Sequence, residues 1–261
     1  MKLNRNTVFC MTNDSTSSTL NLGYFLDDWA GYRKRTPILT DISPKTNSHM
    51  LICGMSGSGK SYYENIIFAK LIEADPLSEF YFSDYKGEDA FDYLRECPRY
   101  YSFKDTLQAL DIVHSRLYSR MSGEDSSKHQ ITLFWDEYMA NILALTNEDK
   151  KLASSVMNKV SELLLMGRSK SVRFVCSLQR PDALAFPVGS RLNYGVVVIL
   201  GAYMRSIYEM LCPDFMDKVT GRIFERGEGV VLLQSSKLHF IKVPTVRDEN
   251  AMRESCKKAL S

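Results

Sequence analysis

"HMLICGMSGSGKS" (49–61) joins an apolar run to a turn rich in glycine and serine, and then to the start of a helical pattern. The first five residues predict a buried strand, and "SYYENIIFAKLIEA" (61–74) has apolar residues at helical spacing, ending near Pro76. The turn "GMSGSGKS" (54–61) satisfies the pattern G-x-x-x-x-G-K-[ST] in full. A strand before this pattern and a helix after it form the context in which it binds phosphate, so the stretch predicts a phosphate-binding loop.

Each part of this loop has a physical role in binding a phosphate. Its glycines let the backbone turn and aim N–H groups inward, and the N-terminus of the following helix adds a partial positive charge. Lys60 is predicted to reach the β- and γ-phosphates, and the Ser61 hydroxyl is predicted to ligate Mg²⁺. A Gly/Ser turn with a chance lysine is the alternative, and the neighbouring strand and helix argue against it. The predicted nucleotide-binding residues are Gly54, Met55, Ser56, Gly57, Ser58, Gly59, Lys60 and Ser61.

A pair of acids ends a second apolar strand pattern, "ITLFWDEY" (131–138). Asp136 is predicted to orient Mg²⁺ through its water shell, and Glu137 to polarise a water for in-line attack on the γ-phosphorus. A solvated strand end is the alternative, which the intact phosphate loop disfavours. A water-activating glutamate indicates a hydrolase that does mechanical work more than a small-molecule kinase.

Strand-like and helix-like runs alternate from residue 37 onward. This order predicts an α/β fold in three layers, with a mainly parallel sheet covered by helices on both faces. The last two strand patterns, 229–234 and 238–243, predict a C-terminal β-hairpin around "SSK". Residues 1–36 are polar and rich in Ser and Thr, and we expect them to form an arm or small subdomain before one large domain, 37–261.

Polar residues also follow the apolar strand pattern "VRFVCS" (172–177), in "CSLQRP" (176–181). In a parallel sheet the carboxyl ends of the strands face one crevice, so Gln179 is expected near the γ-phosphate and the attacking water. Its amide can donate to the phosphate and accept from water without a net charge. A polar turn before Pro181 is the alternative, and position alone does not separate the two.

The composition of the chain excludes several classes of protein. Its 261 residues carry a formal net charge of +2, which argues against a histone-like or polybasic protein but allows a local phosphate-binding surface. The six cysteines form no CxxC pair and the four histidines are scattered, so neither a disulfide framework nor a zinc site is predicted. The longest apolar stretch, 194–204, is about half of the roughly 20 residues that a bilayer span needs. We expect a soluble, cytoplasmic protein that associates with a membrane only through partners.

Five segments of the chain occur in the order and spacing of the FtsK/SpoIIIE motor ATPases, within the larger FtsK–HerA group. These are "HMLICGMSGSGKS", "FYFSDYKGED", "ITLFWDEY", "GRSKSVRFVCSLQRPD" and "ERGEGVVLL". The resemblance covers about residues 37–245. The phosphate loop alone is generic, whereas Gln-Arg-Pro, preceded by a helix ending in Gly167-Arg168, makes the match specific.

The resemblance implies a RecA-like P-loop ATPase core that uses ATP and Mg²⁺ and works as a homo-oligomeric ring, usually a hexamer. Such motors pump double-stranded DNA without regard to its sequence. By the same resemblance Gln179 is the sensor of the γ-phosphate, and Arg191 in "GSRLNYG" is a candidate arginine finger that reaches the nucleotide of a neighbouring subunit. A surface arginine is the alternative for Arg191, and Arg168 is a weaker candidate finger.

The chain departs from the family pattern at several points. Tyr85 stands where the family usually has proline, and "GEG" (227–229) replaces the usual Gly-Asp. Neither membrane helices before the motor nor a winged-helix module after it is found in the sequence, so we expect a compact motor of a mobile element, conjugative or plasmid-borne. A type VII-like protein-secretion ATPase is the first alternative. A low-turnover nucleotide-binding regulator is the second, and the intact Glu137 weighs against it.

Three basic stretches are candidates for contact with DNA phosphates. Each is also compatible with an ordinary solvated face, and no base-reading element is recognisable, which is consistent with sequence-independent binding. The stretches are "GYRKR" (31–35), "GRSKSVR" (167–173) and "KVTGRIFERG" (218–227).

Overall fold

The computed structural model describes residues 19–43, 46, 49–182, 186, 190–201 and 204–261. In this part of the chain, ten strands form one sheet in the order β2-β1-β10-β9-β8-β3-β7-β6-β4-β5. The strands are β1 (Thr19–Phe25), β2 (Pro37–Asp41), β3 (His49–Gly54), β4 (Glu79–Asp84), β5 (Tyr100–Ser102), β6 (Ile131–Asp136), β7 (Val172–Leu178), β8 (Tyr194–Leu200), β9 (Glu228–Leu233) and β10 (Lys237–Lys242).

The six strands from β8 to β5 in this order are all parallel to their neighbours. Every residue of β3, β6 and β7 is buried, as their mostly apolar sequences predict for strands covered on both faces. β7 lies between β3 and β6, so the strand before the phosphate loop and the strand that ends in Asp136 are not neighbours. The carboxyl end of β7 therefore lies between the phosphate loop and Asp136.

The other four strands extend the sheet in antiparallel fashion beyond β8. β9 and β10 form the predicted hairpin, in which Leu233 pairs with Lys237. β10 pairs in turn with β1, and β1 with β2. Residues 19–32, assigned from the sequence to an arm or small subdomain, form β1 and a short helix, and β1 is part of the main sheet. Residues 1–18 lie outside the described residues, and the domain division at residue 36 stays a prediction.

Helices cover both faces of the sheet, which confirms the three-layer α/β architecture. Phe134 and Trp135 are neighbours on β6 and belong to opposite cores. α3, α4, α5 and α6 pack on the Trp135 side, and α2 and α8 pack on the Phe134 side. The helices are α1 (Leu26–Tyr32), α2 (Lys60–Ala74), α3 (Thr106–Ser122), α4 (Tyr138–Glu148), α5 (Lys150–Met166), α6 (Arg205–Leu211), α7 (Met216–Val219) and α8 (Glu249–Leu260).

The position of the β-hairpin and the character of the helices bear on two of the sequence predictions. The β-hairpin is not the last element, because α8 follows it and packs against α2. None of the helices in the described ranges has both the length and the apolar character needed to cross a membrane.

Replacing Gly229 with alanine is expected to destabilise the fold. Gly229 pairs with Leu200 across β8 and β9, and an added Cβ would overlap the carbonyl oxygen of Ile199. Because this obstacle is backbone inside a buried sheet, we expect Gly229→Ala to lower the free energy of unfolding by about 3 kcal/mol. Denaturant titration measures the change.

Gly31→Ala is the matched control for this variant. Gly31 lies in α1, and a Cβ there would meet no heavy atom within 4 Å. Alanine at this position should leave stability unchanged or raise it slightly, because it favours the helix. Equal unfolding midpoints for the two variants would show that the close approach of β8 and β9 does not constrain the fold.

Candidate nucleotide-binding site

The phosphate loop lies between β3 and α2, where its pattern places it. Gly59 has a left-handed backbone with a φ of 92°, and the next residue begins α2. The N–H of Gly227 donates to the carbonyl of Ser58 at 2.9 Å, which ties the segment before β9 to the loop. The N-terminus of α2 thus faces the edge formed by the carboxyl ends of the parallel strands, where its N–H groups and dipole favour an anion.

Lys60 is only 5% exposed, and its side chain points into a group of acids. Its Nζ atom lies 2.6 Å from Oδ1 of Asp136, 3.2 Å from Oε1 of Glu137 and 3.5 Å from the carboxylate of Glu64. Burial by itself lowers the pKa of Lys60, but attraction to these three acids outweighs burial and holds the pKa well above its usual value. Lys60 is therefore a permanent cation below the phosphate loop.

Glu64 is a fully buried acid one helical turn after Lys60. Burial, followed by the negative charge of Asp136, raises its pKa well above the usual range. Its carboxyl group lies 3.5 Å from Nζ of Lys60, so it belongs to the group of acids around that ammonium. Nothing in the sequence pattern distinguished Glu64 from the exposed acids of other helices.

Three carboxylates come together where β4 and β6 end. Oxygen atoms of Glu88, Asp136 and Glu137 lie within 4.8 Å of one another. The hydroxyl of Ser61 donates to Oε2 of Glu88 at 2.8 Å, so the predicted metal ligands Ser61 and Asp136 belong to one cluster through Glu88.

This cluster has the chemistry that Mg²⁺ requires. All its donor atoms are oxygens, which are the ligands that a hard divalent cation prefers. Oδ2 of Asp136 is buried and has no hydrogen-bond partner among the described residues, although a buried polar atom normally has one. The residues present therefore fit a magnesium ion, with Glu88 as a carboxylate that was not predicted from the sequence.

Glu137 is held by two cations in this structure. The residue is 2% exposed, has a left-handed backbone with a φ of 56°, and immediately precedes α4. Its Oε1 atom lies 3.2 Å from Nζ of Lys60, and its Oε2 atom lies 3.0 Å from Nζ of Lys86. Both carboxylate oxygens of Glu137 are thus paired with lysines.

Lys86 belongs to a short loop that Asp84 organises at the end of β4. The carboxylate of Asp84 accepts hydrogen bonds from the N–H groups of Gly87 and Glu88, at 2.8 and 2.9 Å, and from the hydroxyl of Tyr100 at 2.8 Å. Burial raises the pKa of Asp84 to about 6. Lys86 and Glu88 therefore reach Glu137 and Ser61 from one constrained segment.

Tyr85, which departs from the family pattern in this loop, has a packing role. Its ring stacks on Phe103 with the ring centroids 5.8 Å apart. The substitution of proline by tyrosine therefore leaves the loop in contact with the segment that leads into α3.

The end of β7 contributes two residues to the site. The hydroxyl of Ser177 donates to Oδ1 of Asp136 at 3.0 Å and accepts from Nζ of Lys60 at 3.2 Å, so it bridges the two predicted functional residues. Gln179, two residues further on, lines the same cleft as Gly59 and Lys60. The structure thus brings Gln179 to the phosphate loop, and its role as a sensor stays a prediction.

Arg191 and Arg168 lie at the amino ends of the parallel strands, opposite the phosphate loop. Arg191 lies in the turn before β8 and Arg168 in the turn before β7, and both side chains are exposed. Because β7 and β8 run parallel to β3, these turns lie at the amino ends of the strands, away from the phosphate loop of the same chain. Arg191 donates to the carbonyl of Met210 at 3.0 Å. Neither arginine joins the other predicted site residues within one chain.

Two of the three basic stretches are neighbours. Arg222, from the stretch 218–227, forms an ion pair with Asp27 of α1 at 3.2 Å, and α1 leads directly into the stretch 31–35. The third stretch, 167–173, ends in Arg173, which is 1% exposed and donates to the carbonyl of Ile42. Arg173 is therefore unavailable for contact with DNA phosphates, contrary to its inclusion among the candidate basic residues.

Comparison with known proteins agrees with this geometry. No protein-family model matches the chain. The chain is 25% identical over 252 residues to the FtsK domain-containing protein YdcQ of Bacillus subtilis (strain 168), a match that includes 90% of this chain and 51% of that protein. The chain thus spans about half the length of this curated relative.

Several solved structures share the fold. The pCW3 conjugation coupling protein TcpA, solved with ATPγS, superposes with a TM-score of 0.69 at 16% identity, covering 94% of this chain and 71% of TcpA. The cytoplasmic domain of the type VII secretion ATPase EccC from Thermomonospora curvata gives a TM-score of 0.67 at 16% identity, covering 100% of this chain and 33% of EccC. EssC from Geobacillus thermodenitrificans gives 0.67 at 15% identity, covering 100% and 51%. The sequence similarity is to an FtsK domain-containing protein, as the ordered motifs predicted, and the solved structures show that this chain shares the fold of coupling-protein and secretion ATPases.

Proposed function

We propose that this chain is a Mg²⁺-dependent ATPase of the FtsK/SpoIIIE type that moves or couples DNA in a mobile-element system such as conjugation. The observation that carries the proposal is the connected group of Lys60, Ser177, Asp136 and Glu137 beneath an intact phosphate loop. These residues come from α2, β7 and the end of β6, so they meet only in the folded chain.

In this proposal each of these residues has a step in hydrolysis. The phosphate loop and Lys60 bind the triphosphate, and Ser61, Asp136 and Glu88 are the ligands available to Mg²⁺. When bound, Mg²⁺ neutralises charge that develops on the phosphate oxygens. The bound triphosphate competes for the ammonium group of Lys60 and so weakens its ion pair with Glu137. Once Glu137 is released from Lys60 and Lys86, its carboxylate accepts the proton of the attacking water.

The proposal that DNA is the moved substrate is supported by the similarity to TcpA and by one basic surface around residues 31–35. TcpA is a conjugation coupling protein, and its fold covers nearly all of this chain. The exposed stretch 31–35 adjoins Arg222, and the guanidinium groups of Arg33 and Arg35 lie 5.6 and 5.7 Å from the ring centroid of Trp29. A basic surface with an aromatic ring suits a phosphate backbone without base readout.

The homo-oligomeric ring, hexameric in this proposal, is supported by the place of Arg191. The residue is exposed at the edge of the sheet opposite its own phosphate loop. An arginine in that position acts on a nucleotide only if the nucleotide belongs to another subunit, as a finger in trans does.

A protein-secretion ATPase is the second candidate. The fold similarity to EccC and EssC covers the whole chain and supports this candidate as a fold argument alone. Stimulation of ATP hydrolysis by a secreted peptide and indifference to DNA would favour it over DNA movement.

Lys60→Ala is expected to weaken ATP binding at least about tenfold and to reduce hydrolysis to background, because it removes the cation below the phosphate loop. Calorimetric titration and a phosphate-release assay measure the two effects. Lys128→Ala, at an exposed lysine between α3 and β6, is the control and should match the wild type. Unchanged ATP affinity in Lys60→Ala would contradict the proposed binding site.

Glu137→Gln is expected to keep ATP binding and to lower turnover about 100-fold or more, because an amide cannot accept the proton of the attacking water. Glu148→Gln, at the exposed last residue of α4, should hydrolyse ATP normally. Wild-type turnover in Glu137→Gln would remove Glu137 from the mechanism.

Double-stranded DNA is expected to raise the hydrolysis rate, and the effect should fade as salt rises, because phosphate contacts release counterions.

Gln179→Ala should bind ATP but lose this stimulation by DNA, while Gln108→Ala, on the exposed surface of α3, should keep it. A hydrolysis rate that ignores DNA at low salt would reject DNA as the substrate. Normal stimulation in Gln179→Ala would reject the sensor role.

A further inference from the structure

The cleft beside the phosphate loop continues onto the last helix. Its volume is about 320 Å³, and the phosphate loop lines only part of it. Tyr62 of α2 and three residues of α8 line it as well, namely Glu249, Met252 and Arg253. α8 lies after the last of the segments that resemble the motor ATPases, which end near residue 245.

α8 is fixed relative to the phosphate loop by packing and by one hydrogen bond. The N–H of Val246 donates to the hydroxyl of Tyr62 at 2.7 Å, so the segment that leads into α8 is attached to the first turn of α2. Asp248 accepts a hydrogen bond from the N–H of Ala251 at 2.9 Å and caps the helix. Met252 is 5% exposed, and Leu260 is fully buried against the same core as α2. The cleft is therefore a built feature and does not depend on a mobile helix.

The lining of this part of the cleft differs in chemistry from the phosphate loop. Tyr62 offers an aromatic ring and Met252 a thioether, which suit the face of a planar base. Glu249 and Arg253 form an i, i+4 ion pair at 3.6 Å and are both about half exposed, so their polar atoms remain accessible. A carboxylate accepts hydrogen bonds from ribose hydroxyls, and a guanidinium donates to ring nitrogens and carbonyls of a base.

The path of a nucleotide through the cleft follows from where its phosphates bind. Arg226 lines the cleft on the side of the loop, since its Cγ atom would lie 3.7 Å from a Cβ added at Gly59. Arg226 and Lys60 thus contribute cations at the phosphate end. The remaining space, between Tyr62 and α8, is left for the uncharged end of the molecule.

We propose that α8 forms the nucleoside subsite of this protein, with the base of a nucleoside triphosphate against Tyr62 and Met252 and with Glu249 and Arg253 as its polar contacts. This inference rests on the proposed function, because it assumes that the phosphate loop holds the triphosphate. It deepens that function by assigning recognition of the nucleoside to a helix outside the motor motifs.

Binding of ATP and of inorganic tripolyphosphate, each with Mg²⁺, tests the subsite by calorimetric titration. The variant Glu249→Ala/Arg253→Ala removes the pair at the cleft. The variant Glu254→Ala/Lys257→Ala removes a comparable exposed pair from the same helix, at residues that do not line the cleft. Thermal unfolding of both variants checks that α8 stays folded.

The variant at the cleft is expected to lose about tenfold in affinity for ATP and to bind tripolyphosphate within about twofold of the wild type. The control variant should bind both ligands normally. Unchanged ATP affinity at the cleft, or an equal loss for both ligands, would overturn the subsite while leaving the ATPase proposal in place. A wild-type chain that binds neither ligand would overturn the proposed function, and the subsite with it.

Discussion

The buried ammonium group of Lys60 is the contact on which the site depends. A buried cation is tolerated only where acids and hydrogen bonds compensate for the loss of water. Asp136, Glu137 and Glu64 supply the acids, and Ser177 supplies a hydroxyl that bridges Lys60 and Asp136. Since these partners come from three elements, the ion pairs hold the carboxyl ends of the strands in one arrangement around the phosphate loop.

The loop after β4 adds a second connection between the metal cluster and the proposed catalytic acid. Glu88 contacts Ser61, and Lys86 contacts Glu137. Both lie within a segment that Asp84 holds through two backbone N–H groups. A displacement of this loop therefore alters the environments of Ser61 and Glu137 together.

Much of the fold could be predicted because the parallel strands are buried on both faces and are mostly apolar, as in 131–135 and 172–176, where Thr132 and Arg173 are the exceptions. α8 was missed since only Met252, Cys256 and Leu260 repeat on its buried face, among mostly polar residues. β1 was missed because its pairing with β10 joins residues more than 200 positions apart in sequence, which no local pattern encodes. Its polar surroundings suggested an arm, whereas Tyr24 and Phe25 pair with β10 and join β1 to the main sheet.

The sequence by itself determined the phosphate loop at 54–61 and the Asp136–Glu137 pair, because the chemistry of each is written in consecutive residues. It also led to Gln179, by way of the rule that parallel strands share one functional edge. Only the tertiary structure revealed Ser177, Glu88 and Lys86, since these residues join the candidate site through contacts of about 3 Å with residues from other elements. Only the tertiary structure placed Arg191 at the amino ends of the strands, opposite the phosphate loop. The reason is that the direction of β8 and its pairing with β3 decide which end of β8 lies beside the phosphate loop.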